Sequence, residues 1–171
     1  MPHLRNFTLV MLCAFVAACA STPLKPLPVP VAGESGAAVI FRESAFAAGG
    51  VGLAVGVDDA GFAMLNNAQR VTARLTAGTQ EFFVQARSAE PTRLKVTIKK
   101  GEVVCLRTSS SPDTYAKVAV PLVLIITGYH FYLDEVPCPS EAELAKYKEV
   151  APVYEKPFPG VTQHSPITSP R

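Results

Sequence analysis

Four cysteines carry the most reactive side chains of this 171-residue chain: Cys13, Cys19, Cys105 and Cys138. A cysteine can form a disulfide, carry a thioether, ligate a metal or act as a nucleophile, and its surroundings decide which of these it does. Cys13 and Cys19 lie close together in an apolar N-terminal stretch, whereas Cys105 and Cys138 lie in the body of the chain. The two pairs are therefore interpreted separately.

Residues 1–18 have the pattern of a secretory signal peptide. His3 and Arg5 form a basic front, and the stretch 7–18 is apolar apart from Thr8. An apolar run of this length is too short for a spanning helix, which needs about 20 residues. A buried core helix is the alternative, but such a helix would alternate apolar with polar residues. We expect residues 1–18 to be removed during export.

The run Val16-Ala17-Ala18-Cys19 resembles the lipobox of bacterial lipoproteins, in which an aliphatic residue and two small residues precede a cysteine. The resemblance implies that Cys19 receives a diacylglyceryl thioether, that signal peptidase II cuts before it, and that the new amino group is acylated. Several acyl chains, palmitate among them, give a stable membrane anchor. Ala20 stands where lipoproteins kept in the inner membrane usually carry Asp, which implies the outer membrane, facing the periplasm. The alternative is an ordinary secretory cleavage that leaves Cys19 unmodified.

Once Cys13 leaves with the signal peptide and Cys19 takes the lipid, Cys105 and Cys138 remain as one pair in an oxidising compartment. A disulfide between them is the simplest inference. One alternative is a catalytic thiol, which needs a base, and His130 is the only histidine of the body. The other is half of a metal site, which needs about four ligands.

The remaining polar residues form no recognisable catalytic or ligand-binding pattern. His130 falls in an apolar, aromatic stretch, which favours a structural role, and His164 lies in the C-terminal tail. Asp58-Asp59 is typical of a turn, and Asp134-Glu135 are strand neighbours that point to opposite faces. Gly50-Val51-Gly52 lacks the third glycine and the following helix of a nucleotide-binding loop. We therefore expect no enzyme, no cofactor and no metal, and, at a net charge of +2, no nucleic-acid partner.

Proline-rich stretches flank the body of the chain. Residues 19–36 contain four prolines, which predicts an extended tether able to hold the body up to about 50 Å from the lipid. A proline-motif docking site is the alternative for this stretch. Residues 151–171 contain five prolines and little periodicity, which predicts an extended or disordered tail. One domain over 37–150 remains between them.

Short strands separated by turn residues run through this domain. Alternating apolar positions predict strands over 37–42, 51–57, 62–65, 71–75, 81–86, 93–99, 103–107 and 129–135. Lys100-Gly101 is expected to make a hairpin turn, and residues 108–113 a polar loop. Gly52 and Gly56, with Ala54 between them, share one face of their strand and predict close packing there.

The C-terminal part of the domain contains an apolar run and a helix signal. Residues 118–126 are apolar and broken by Pro121, which indicates a buried strand or loop, or else an exposed patch for a partner. Ser140 and Glu143 match a capping box that opens a short helix over 140–149. The pattern as a whole predicts a mainly β fold, a small antiparallel β-sandwich of immunoglobulin or transthyretin type with one short C-terminal helix.

Three stretches resemble the bacterial lipoproteins of the "domain of unknown function 2846" family, across roughly residues 38–136. They are Val39-Ile40-Phe41-Arg42, LTAGTQEFFVQA at 75–86 and RLKVTIKKGEVVCLRT at 93–108. The match departs from the family at Thr76-Ala77, where a proline is more usual, at Gln80, where a histidine is usual, and at Val103 and Val104, where tyrosines are usual. The resemblance implies a compact β-sandwich lipoprotein of the cell envelope with no established activity, and it transfers no catalytic residues.

Three functions are compatible with these features. The first is a lipid-anchored, non-enzymatic module that binds an envelope protein or polymer through an exposed apolar patch, at 118–131 or around Phe83. The second is a small-ligand or glycan-binding module, with an apolar pocket that holds a few polar groups. The third is an enzyme, which needs a pocket that gathers His130 with Asp134 or Tyr132.

Overall fold

The computed structural model describes residues 24–31, 33–45, 48–87, 89–111 and 129–155. Two β-sheets pack face to face, and one short helix follows near the C-terminal end. In chain order the elements are β1 Ser35–Arg42, β2 Leu53–Val57, β3 Ala60–Leu65, β4 Gln69–Thr76, β5 Gly78–Ala86, β6 Thr92–Ile98, β7 Val103–Ser110, β8 Phe131–Val136, α1 Glu141–Leu144 and β9 Lys148–Val150. The predicted fold class, a mainly β sandwich with one short C-terminal helix, is confirmed.

The strands are divided between a five-stranded and a four-stranded sheet. Sheet one has the order β8-β7-β1-β4-β9, and sheet two has the order β3-β2-β5-β6. Most neighbours are antiparallel, as predicted, but β1 pairs with β7 in parallel and β4 pairs with β9 in parallel. Apolar alternation has a period of two in either direction, so the sequence pattern does not distinguish parallel from antiparallel partners.

Two predicted turns have different outcomes. Asp58-Asp59 joins β2 to β3 within sheet two, as expected, with Asp58 at φ 51°. Gly101, at φ 74°, also lies in a turn, which the Glu102 N–H closes on the Lys99 carbonyl at 3.0 Å. This second turn is no hairpin, because β6 belongs to sheet two and β7 to sheet one. The chain crosses between the layers at this point.

The core between the sheets contains the side chains that the alternating patterns place on one face. Each of β2, β4, β5 and β6 contributes buried residues at every second position: Leu53, Val55 and Val57; Val71, Ala73 and Leu75; Phe82, Val84 and Ala86; Val96 and Ile98. Burial of apolar surface of this kind is the main driving force for folding. The predicted faces of these four strands are confirmed.

The outer face of sheet two explains why β2 alternates with small residues. A Cβ on Gly56 would lie 2.1 Å from the Phe83 ring, so the ring packs directly on the backbone of β2. The Arg93 guanidinium also lies over the ring, 5.5 Å from its centroid. The predicted close packing at Gly56 is confirmed. Phe83 itself is buried, so the exposed apolar patch predicted around it is wrong.

Three predicted boundaries differ from the structure because of strand pairing. β7 continues to Ser110, through the predicted polar loop, because residues 108–110 pair with β8. α1 ends at Leu144 rather than near residue 149, because residues 148–150 pair with β4. β8 begins at Phe131, so His130 precedes the strand in which it was predicted to lie.

The packed region is wider than the predicted domain over 37–150. β1 begins at Ser35, and Leu27, from the predicted tether, is fully buried in the core. Leu27 also forms a parallel β-bridge with Tyr154, from the predicted tail. Residues 24–31 therefore do not act as a free spacer, because burial of Leu27 fixes them to the sandwich.

Several predictions concern residues outside the described part of the chain. These are the signal peptide over 1–18, the lipobox with Cys19, the apolar run at 118–126, and the tail from residue 156, which includes His164. Within the described residues, no helix is long and apolar enough to cross a membrane.

Candidate functional site

The predicted disulfide is present, and it joins sheet one to the segment that follows β8. The Sγ atoms of Cys105 and Cys138 are 2.08 Å apart, with the Cα atoms at 5.0 Å. Cys105 is buried on β7, whereas Cys138 is exposed between two prolines. With both sulfurs in this bond, neither is available as a nucleophile or metal ligand.

A second, smaller core lies on the outer face of sheet one around this bond. Val39, Phe41 and Cys105 are covered by Val136, Leu144 and Tyr147. The rings of Phe41 and Tyr147 pack at a centroid distance of 5.2 Å and an angle of 56°. The segment 137–147 is thus fixed to sheet one both by a covalent bond and by apolar contact.

The predicted capping box shapes this covering segment. The Glu143 N–H donates to the Ser140 hydroxyl at 3.3 Å, and the Ser140 N–H donates to the Glu143 carboxylate at 2.9 Å. These bonds satisfy backbone donors that the first turn of a helix leaves without partners. The Ser140 N–H and the Ser140 hydroxyl both donate to the Glu143 carboxylate, and these two bonds lower the pKa of Glu143. The prediction that Ser140 and Glu143 open the helix is confirmed.

A cleft of about 310 Å³ opens between the covering segment and the end of β1. Its walls combine aromatic rings, prolines and charged side chains: Phe41, Glu43, Arg107, Val136, Pro137, Pro139, Glu143, Lys146 and Tyr147. The volume is at the lower end of the range found for small-molecule sites.

Arg107 is the central charged group of the cleft. Its guanidinium lies 3.9 Å from the Glu43 carboxylate and 3.7 Å from the Asp134 carboxylate. Both distances exceed that of a hydrogen bond, so these are loose ion pairs. The Nε atom of Arg107 is buried and has no hydrogen-bond partner among the described residues. Because both ion pairs are loose, the terminal nitrogens of the guanidinium retain donors that a polar ligand could use.

Tyr147 supplies a neutral hydroxyl to the same cleft. Burial raises the pKa of its phenol, the carboxylates of Glu43 and Glu143 raise it further, and Arg107 partly opposes them. Because the ordinary tyrosine pKa is already near 10, the phenol stays protonated at neutral pH. A ligand would meet donors from Arg107, Lys146 and Tyr147, and acceptors from the two glutamates.

The cleft does not gather the groups proposed above for an enzyme. Asp134 lies 3.7 Å from Arg107, which lines the cleft, but neither His130 nor Tyr132 is a lining residue. His130 is exposed, and its backbone carbonyl accepts a hydrogen bond from the Ser111 N–H at 3.0 Å. Among the lining residues in the described chain there is no serine or threonine hydroxyl, imidazole or free thiol. What this arrangement offers is hydrogen bonding and stacking.

The two acidic pairs have ordinary structural surroundings. Asp58 accepts a hydrogen bond from the Glu81 N–H at 3.2 Å, which fits its place in a turn. Asp134 pairs loosely with Arg107 on one face of β8, and Glu135 is its strand neighbour. Across the described residues, no group of three or more histidine, cysteine, aspartate or glutamate side chains is placed to hold a metal ion.

Arg42, at the end of β1, has unusual surroundings for a charged residue, and no sequence pattern predicts a role for it beyond the family resemblance. It is only 1% exposed, although it is charged. Its guanidinium donates to the carbonyls of Ala48 (2.6 Å), Leu65 (3.2 Å) and Val51, and it lies 4.9 Å from the centroid of the Phe131 ring. An arginine that directly follows a continuous apolar run, here AAVIF, is the signal that could have indicated this burial.

The acceptors of Arg42 are backbone carbonyls rather than carboxylates. Burial lowers the pKa of its guanidinium from the ordinary value, but an arginine remains protonated in proteins. Gly50-Val51-Gly52, rejected above as a nucleotide loop, belongs to the turn that supplies two of these carbonyls. The charge therefore holds the 48–51 turn against β1 and the end of β3.

Comparison with known proteins does not place this chain in a family. No family model matches it, and no curated protein matches it. The resemblance to the "domain of unknown function 2846" lipoproteins therefore stays a prediction.

Proposed function

We propose that this chain is a non-enzymatic lipoprotein of the bacterial cell envelope, of the "domain of unknown function 2846" type. A lipid on Cys19 holds the β-sandwich at the periplasmic side of the outer membrane, where it binds an envelope protein or polymer. Residues 1–18 are the signal peptide that directs export, and the mature chain begins at Cys19.

The observation that carries the proposal is the Cys105–Cys138 disulfide. Structural disulfides persist in the periplasm and other oxidising compartments and are rare in the cytosol. A bond between the two body cysteines agrees with export, and the basic front, apolar run and lipobox of residues 1–19 independently point to it. The two signals lie in separate parts of the chain, which strengthens the inference.

Replacing Cys19 tests the anchor. We expect the wild-type protein to take up labelled fatty acid and to fractionate with membranes. A variant with an ordinary secretory leader in place of residues 1–18 and Cys19→Ser should take up no label and appear in the soluble periplasmic fraction. The cleavable leader matters, because an uncleaved signal peptide would itself retain the chain.

Cys13→Ser is the matched control, since Cys13 lies in the signal peptide and is discarded. It should be labelled and fractionate as the wild type does. Retention of the Cys19→Ser variant in the membrane fraction, or equal fatty-acid labelling of it, would contradict the proposal.

The cleft beside the disulfide favours a second candidate function, recognition of a neutral saccharide. Its aromatic and proline walls can stack on sugar rings. Its paired charges offer both donors and acceptors without a large net charge. Such a combination suits a polyhydroxylated ligand better than a strongly charged one.

Thermal unfolding with neutral oligosaccharides from the envelope tests this candidate. A ligand at about 100 times its Kd should raise the midpoint by about 5 °C or more. Tyr147→Ala should abolish the shift, whereas Tyr132→Ala, an exposed tyrosine outside the cleft, should retain it. If no saccharide shifts the wild type, or if both variants lose the shift equally, the cleft is not a saccharide site.

A further inference from the structure

The segment that follows the predicted lipid attachment site is built into the sandwich. Leu27 is fully buried, its N–H donates to the Val153 carbonyl at 2.8 Å, and its carbonyl accepts from the Glu155 N–H at 2.9 Å. Two residues earlier, the Lys25 N–H donates to the Gly61 carbonyl at 2.7 Å. From Lys25 onward, the position of the chain is therefore set by the fold.

This attachment shortens the distance that the anchor can span. Only five residue steps separate Cys19 from Leu24. A fully extended chain covers at most about 3.6 Å per residue, so the body begins within about 18 Å of the Cys19 backbone. The reach of about 50 Å expected for a free tether over 19–36 is wrong, because residues 24–31 lie on the sandwich.

The chain leaves the sandwich at one particular side. Gly61 is the second residue of β3, an edge strand of sheet two, and Val153 follows β9, an edge strand of sheet one. The opposite side is formed by β6 and β8. In sheet one, β8 lies four strand spacings from β9, about 19 Å across the sheet. Because the connection to Cys19 is short and the sheet is about 19 Å wide, the β3–β9 side can lie closer to the lipid than the β6–β8 side.

The β3–β9 side also carries exposed apolar side chains. Five large hydrophobic residues of the described chain are exposed, and two of them lie on this side: Leu24 (38%), which precedes Lys25, and Val153 (37%), whose N–H donates to the Phe62 carbonyl of β3. Exposing an apolar side chain costs less free energy at a lipid surface than in bulk water. Their position agrees with a side that faces a membrane.

Charges of both signs lie around the exit point. They include Lys25, Asp58, Asp59 and Glu155, and the side chain of Arg93 reaches Asp59 from β6. Arg93 lies 3.0 Å from Glu81 and 3.9 Å from Asp59, and Lys95 lies 3.9 Å from Glu81. The orientation should then depend on the length of the connection rather than on headgroup charge.

We infer that the β3–β9 side of the sandwich faces the membrane surface and that the β6–β8 side faces away from it. This inference rests on the proposed function, because it requires the lipid on Cys19. The partner on this side is the lipid surface itself, approached closely because the fold takes up most of the predicted tether.

Fluorescence quenching on vesicles tests the orientation. Full-length lipidated protein, with its disulfide intact, is labelled at one added cysteine: Lys25→Cys or Asp59→Cys beside the exit point, or Glu135→Cys on β8. Vesicles of phosphatidylethanolamine and phosphatidylglycerol carry a nitroxide on the lipid headgroup. Quenching at positions 25 and 59 should exceed that at 135 by about twofold or more, and it should persist in neutral phosphatidylcholine vesicles.

A spacer variant serves as the matched control. Insertion of about 15 glycine and serine residues after Ala20 should bring quenching at 25 and 59 down to the level at 135, because it restores a long flexible tether. Equal quenching at all three positions in the vesicle-bound native-length protein would overturn the orientation and leave the anchor intact. Failure of the native-length protein to sediment with vesicles would overturn the lipid anchor and the orientation together.

Discussion

Arg42→Met is expected to destabilise the sandwich by about 3–5 kcal/mol, because it removes the side chain that donates to the carbonyls of Ala48, Val51 and Leu65 in the described part of the chain. Replacing a buried ion pair by apolar residues is often harmless, since both charges leave together. Here the acceptors are backbone atoms of Ala48, Val51 and Leu65, which no side-chain substitution removes. A domain of this size has a total stability of about 5–15 kcal/mol, so such a loss would be readily measurable.

Urea denaturation of the disulfide-intact protein measures this loss. Arg74→Met is the matched control, because Arg74 is exposed on β4 of the same sheet, and it should change the free energy of unfolding by less than about 0.5 kcal/mol. Arg42→Lys keeps the charge but not the planar fork, so its stability should fall between Arg42→Met and the wild type. Equal unfolding free energies for Arg42→Met and Arg74→Met would show that the carbonyl contacts of Arg42 contribute little.

Reduction of the Cys105–Cys138 bond is expected to cost about 4 kcal/mol. The two cysteines are 33 residues apart, and the chain-entropy model gives roughly this value for a loop of that length. A local effect should accompany it, because the bond fixes the segment that carries Leu144 and Tyr147 over Phe41. Denaturation with and without a dithiol reductant, together with mass analysis of alkylated thiols, measures both stability and redox state.

The double variant Cys105→Ala/Cys138→Ala supplies the control. It should be less stable than the oxidised wild type, and its midpoint should not respond to the reductant. If alkylation found two free thiols in protein purified from the periplasm, the disulfide would be absent where the protein works. That result would also remove the observation on which the export proposal rests.

The strands of the sandwich could be predicted largely from local pattern. Alternation of Leu94, Val96 and Ile98 with polar residues places one face of β6 inward whatever its partner is. The capping box at Ser140 and Glu143 is equally local, because its atoms are three residues apart. The glycine at position 56 predicts that another group packs closely on this face of β2, but the sequence does not identify that group as the Phe83 ring.

Partner choice could not be predicted in the same way. β1 lies between β4 and β7, and its parallel pairing with β7 depends on contacts between residues more than 60 positions apart. The sequence predicts a hairpin at Lys100-Gly101, and this prediction is wrong because a turn signal does not say which sheet the next strand joins. The cleft was missed for the same reason, since its walls come from β1, β7 and the segment after β8.

By itself the sequence determined the fold class, the pairing of the two body cysteines and the expectation that Cys19 carries a lipid. Each depends on residue type, periodicity or spacing along the chain. Only the tertiary structure decided that Arg42 is buried among carbonyls and that Leu27 joins the core. Burial depends on what packs from distant parts of the chain: the proline-rich composition that predicted a free tether says nothing about whether β3 and residues 153–155 cover it.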